Sequence, residues 1–144
     1  SLLVQEDELH QQIVSSGALE GMLFQCGQLE DNGFRGPALM ALRRIFRNSE
    51  GGRTEGHAFA DALNDKLNKI YEQALSAKDS EVADRSKVSK QMLDGFASLV
   101  VLLKSENLLE SFAERGGDQP WHSALDEVDG VTLPEIGAED SSHD

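Results

Sequence analysis

Between residues 88 and 103 the apolar side chains Val88, Met92, Phe96, Leu99 and Leu103 recur at steps of four, four, three and four, and Leu93, Val100 and Leu102 widen the stripe. The spacing is helical, and a helix apolar over so much of its circumference needs neighbours on several sides. It belongs at the centre of a bundle or at a subunit interface. Because the stripe is wider than one small bundle easily covers, self-association of the chain through the Val88–Leu103 helix is expected as well.

The rest of the chain carries the same periodicity. Its 19 Leu and 13 Ala far outnumber the 12 Val and Ile, and apolar and polar residues nowhere alternate for long. At 144 residues, a folded chain buries roughly 68% of its unfolded surface, enough for one real core. The expected fold is therefore all-α, a bundle of about five helices occupying residues 1–117, followed by an acidic C-terminal segment, 118–144.

Local signals mark the elements. Leu2, Leu9 and Ile13 fall at helical intervals, and Ser15 is the expected cap of a helix bearing Leu19, Met22, Leu23, Cys26 and Leu29, stopped by Asn32-Gly33. Gly36-Pro37 opens a helix with Leu39, Leu42, Ile45 and Phe46 on its apolar side. Thr54 is the expected cap of a long helix reaching residue 77, whose stripe runs Phe59, Ala62, Leu63, Leu67, Ile70, Tyr71 and Ala74. Residues 77–87 fit either a loop or the exposed first turns of the next helix. Ser105 is read as capping a short helix through Phe112 that ends at Gly116-Gly117, and Trp121, Leu125 and Val128 allow a further turn or two from Asp118.

Charge is unevenly distributed. The chain has 13 Lys and Arg against 26 Asp and Glu, a formal charge of −13, of which the last 29 residues carry −8 without one Lys or Arg. A single stretch reverses the sign: Arg35, Arg43, Arg44, Arg47 and Arg53 face only Glu50. Guanidinium forks there suit the carboxylates of a partner or phosphates, and pairing with the chain's own acids, the tail's among them, accounts for the same residues. Nucleic acid and anionic membrane surfaces are disfavoured by the overall charge, and the arginine stretch lacks interleaved aromatics. The longest apolar run, five residues from Leu99 to Leu103, is far short of the ~20 that a membrane-spanning helix needs.

Catalytic signals are thin. His10, His57, His122 and His143 lie in four separate segments; Asp7 and His10 have the spacing of one carboxylate metal motif, but its second copy is absent. Short catalytic signatures are missing, and Gly51 to Gly56 reads as a flexible turn before a helix. No metal, cofactor or catalytic residue is therefore expected. Cys26, the only cysteine, lies on an apolar stripe and reads as a core residue. With no internal disulfide, no N-x-S/T acceptor and no signal-peptide pattern, the expected location is a reducing cytoplasm.

These features lead to a non-enzymatic protein-interaction module of bacterial or phage type: a regulator, an immunity or antitoxin-like protein, or a chaperone-like adaptor. Its expected contact residues for a basic protein partner are Trp121, Leu125, Asp126, Glu127 and Asp129 in the acidic segment, with Arg43, Arg44, Arg47 and Arg53 as a second patch. The alternative is an oligomeric nucleic-acid-associated protein that aligns the Arg35–Arg53 stretches of several subunits.

Overall fold

The computed structural model describes residues 12, 16–28, 33–50, 56–127, 131 and 133. Among them are six helices and no strand: α1 (Ala18–Cys26), α2 (Arg35–Glu50), α3 (Gly56–Ala77), α4 (Ala83–Ser105), α5 (Leu108–Gly116) and a 3-10 helix (Pro120–Glu127). The all-α bundle is as the periodicity implies. Leu2, Leu9, Ile13, Ser15, Leu29, Asn32 and Thr54 lie outside the described residues.

The helix α4 is the axis of the bundle. Leu93, Leu102, Leu103 and every residue from Gly95 to Val100 are buried, because α1, α2, α3, α5 and the 3-10 helix all pack on it. One chain thus covers the wide stripe, and only Val88 near its start remains half-exposed. The width of the stripe therefore no longer argues for a second subunit.

Two glycines set how closely α1 can lie on this axis. A Cβ at Gly95 would overlap the carbonyl oxygen of Leu23, and one at Gly27 would overlap that of Gln91. Only a bare backbone fits on both sides of this crossing. The contact also ends α1: Gln91 Nε2 donates to the Phe24 carbonyl at 2.8 Å and Ser98 Oγ to the Cys26 carbonyl at 3.3 Å. These α4 side chains take carbonyls that a helix end leaves without partners. Hence α1 stops at Cys26, before the expected stop at Asn32-Gly33, although Gly33 does adopt a left-handed φ of 87°. Cys26 is buried, which pushes its thiol pKa up to about 12, with Arg35 pulling it the other way; it is an inert core residue.

Several boundaries differ from expectation for local reasons. Pro37 is the third rather than the first residue of α2, still inside the turn that has no need of its N–H. Residues 83–87 are helical, and the preceding turn is closed by Ser80 Oγ accepting from Val82 N–H at 3.2 Å and Ser86 Oγ donating to the Lys78 carbonyl at 2.6 Å. Ser105 does not cap α5. It is the last residue of α4 and donates back to the Leu102 carbonyl at 2.8 Å. The chain turns instead at Asn107, in the left-handed region at φ 62°, which Asn tolerates better than most residues.

Candidate functional site

The two charged regions meet the bundle in opposite ways. In α2, Leu39, Leu42, Ile45 and Phe46 face the core and their helical spacing draws Arg43 in with them, leaving it 7% exposed. A cation so enclosed requires a counter-charge. Glu106 supplies it from the end of α4: its carboxylate lies 2.6 Å from Arg43 Nε and 3.0 Å from Arg47 Nη2. Glu106 stands at a helix C-terminus, where the helix dipole disfavours an anion, so the two guanidinium groups offset that cost. Arg35, at the start of α2, donates to Ser98 Oγ at a long 3.5 Å. Arg44 is exposed, and Arg53 lies outside the described residues.

The acidic segment, by contrast, sends its apolar residues inward. Trp121 and Ala124 are wholly buried, and Leu125 and Leu133 pack against the same core. Trp121 lies edge-on to Phe46 at 5.8 Å and within 6.4 Å of Phe96; Phe46 in turn meets Phe112 at 4.9 Å, and Tyr71 meets Phe96 at 5.3 Å. One aromatic chain therefore joins α2, α3, α4, α5 and the 3-10 helix. From the sequence alone, Trp121 is expected to be a contact residue for a partner. Its full burial makes it an anchor for its own segment.

Polar groups of α3 fix the register of that segment. Trp121 Nε1 donates to Asn64 Oδ1 at 3.2 Å, Asn68 Nδ2 donates to Gln119 Oε1 at 2.9 Å, and the Tyr71 hydroxyl bonds Ser123 Oγ at 3.2 Å. Spacings of four and three put Asn64, Asn68 and Tyr71 on one helical face. Tyr71 belongs to the expected apolar stripe, but Asn64 and Asn68 were missed, although Asn64, an amide set into that stripe, was a legible signal.

Docked this way, the segment leaves Asp118 and Asp126 outside. The Asp118 side chain is 93% exposed and Asp126 is exposed too; the Glu127 side chain and Asp129 lie outside the described residues. Beside it runs a cleft of about 500 Å³. Lys104 and Asn107 line it from the end of α4, Leu109, Glu110 and Ala113 from α5, and Asp118, Gln119, His122 and Ser123 from the docked segment.

His122 lines this cleft. Its Nδ1 accepts from the Gln119 backbone N–H at 3.1 Å, which assigns the proton of the neutral ring to Nε2. The ring packs edge-on to Trp121 at 4.3 Å, and Nε2 has no hydrogen-bond partner among the described residues. Burial holds the imidazole pKa below its ordinary value, opposed by Asp118 and assisted by Lys104. Burial thus favours the neutral ring.

Among the described residues no group of three or more His, Cys, Asp and Glu side chains could hold a metal ion, and no helix is long and apolar enough to cross a membrane. Asp7 and His10 lie outside that range. Compared with family models, curated proteins and solved structures, the chain matches none.

Proposed function

We propose that this chain is a non-enzymatic protein-interaction module, cytoplasmic in setting, that offers a fixed acidic face to a basic partner protein, as a regulator, an antitoxin-like protein or an adaptor does. One observation carries the reading. The acidic segment is held in register by Trp121 and three side-chain hydrogen bonds to α3, while Asp118 and Asp126 stay exposed. Such a face is ordered before it meets a partner, which lowers the entropic cost of binding.

Nucleic-acid binding draws less support, because Arg43 is buried against Glu106 and Arg47 shares that carboxylate, which leaves Arg44 and part of Arg47 exposed on that helix. The test is affinity capture from cells that express the protein, comparing the full chain with a variant in which Glu110 and Glu114 are changed to Gln and Asp118 and Asp126 to Asn. A basic protein should be retained by the parent and lost by the variant; equal recovery from both refutes the acidic face. Truncation at residue 118 is unsuitable, since it removes Trp121 from the core.

A further inference from the structure

The cleft beside His122 combines features that a flat acidic surface lacks. Leu109 and Ala113 give it an apolar wall, Glu110 and Asp118 two carboxylates, and Lys104 a single opposing charge. The two carboxylates outnumber the one lysine. The cleft volume of about 500 Å³ lies within the range of small-ligand sites, and it is large for one side chain and suited to one with its flanking backbone. Arginine matches this lining better than other residues. Its aliphatic stem packs on apolar surface while its planar fork reaches carboxylates two bonds at a time. Lysine offers only a point charge.

We propose that this cleft is the seat for an arginine side chain of a basic peptide segment, with the stem against Leu109 and Ala113 and the guanidinium toward Glu110 and Asp118. The assignment rests on the acidic-face reading above and narrows it to one position. The occupant is a peptide because the face around the cleft, with exposed Glu114 and Asp126 on the same two elements, extends the negative charge beyond a single residue.

The probe is a fluorescein-labelled octapeptide of alternating Arg and Leu, titrated by fluorescence anisotropy into the full chain at about 50 mM salt. Replacing its arginines with citrulline, the uncharged isostere, should weaken binding about tenfold or more. Glu110→Gln with Asp118→Asn should do the same, and so should Ala113→Phe, which leaves the charge unchanged and fills the cleft. The pair Asp79→Asn with Glu81→Gln, the same charge change in the turn before the opposite end of α4, should cost less than about twofold. Lys104→Gln should tighten binding, a gain that misfolding cannot imitate, and unchanged Trp121 emission checks the fold of every variant. The seat is overturned by no binding of the probe, by equal losses from the two double neutralisations, or by parent-like affinity in both Ala113→Phe and Lys104→Gln. If neutralisation at either end weakens binding while those two do nothing, the broad acidic face survives and the cleft does not.

Discussion

The arginine-rich helix α2 and the acidic C-terminal segment are equally conspicuous in the chain, +4 over residues 35–53 and −8 over the last 29, yet the fold treats them differently. In α2 Arg43 shares the apolar side of the helix and is carried inward, where Glu106 balances its charge and also holds the half-exposed Arg47, while Arg44 stays outside. In the acidic segment Trp121 and Ala124, three apart on a 3-10 helix, share the face that goes in, while Asp118 before the helix and Asp126 near its end stay out. Local net charge is thus a poor guide to available charge. What decides is which residues share a face with the core.

The contrast can be broken at either end, and the largest effect is expected at Trp121. Trp121→Ala deletes the centre of the aromatic chain and should cost about 4 kcal/mol, measured by denaturant unfolding; a loss under about 1 kcal/mol would mean that the segment only rests on the surface. Glu106→Gln leaves Arg43 enclosed without its counter-ion and should cost about 2 kcal/mol. Adding Arg43→Met should restore most of that loss, whereas additive losses would show that the two residues do not act as a pair.

Acid should act on the C-terminal segment through His122. Its pKa is held below the ordinary 6.5 when folded, so below pH 6.5 the unfolded chain binds the proton first. The His122 contribution to stability is therefore unchanged above that pH and falls as pH drops through it. Denaturant midpoints at pH 7.5 and 5.5 should differ more for the parent than for His122→Gln, and identical differences would remove His122 as the cause. The smallest effect is expected outside. Asp118→Asn with Asp126→Asn should change stability by less than about 0.5 kcal/mol, and a larger loss would assign these acids to the fold rather than to a partner.

Much of this molecule was legible from periodicity. The stripes of α3 and α4 gave the right elements, and the wide stripe of α4 its central position; in α3 Leu63, Leu67, Ile70, Tyr71 and Ala74 are buried as one-sided helical spacing implies, whereas Ala62 is exposed. Less legible was whatever depended on contacts distant in sequence. Arg43 read as available because Glu106, 63 positions later, is adjacent only in the fold; its pairing had been sought partly in the tail. Ser105 has the chemistry of a cap but sits two residues too early, before the left-handed Asn107 that takes the cap position. Gly95, alone in an apolar helix, carried the mark of a close backbone crossing, but the facing residue, Leu23, could not be read from spacing. The acidic segment was recognised as a unit, and its docking through Asn64, Asn68 and Tyr71 needed the third dimension.

The most direct test of the contrast is one anisotropy titration of the full chain against two labelled probes at about 50 mM salt, the alternating Arg-Leu peptide and a random-sequence DNA duplex. The predicted result is binding of the peptide, weakening as salt rises, and no measurable binding of the duplex. Salt-sensitive binding of the duplex that disappears on changing Arg44 and Arg47 to Ala, with the peptide left free, would contradict it.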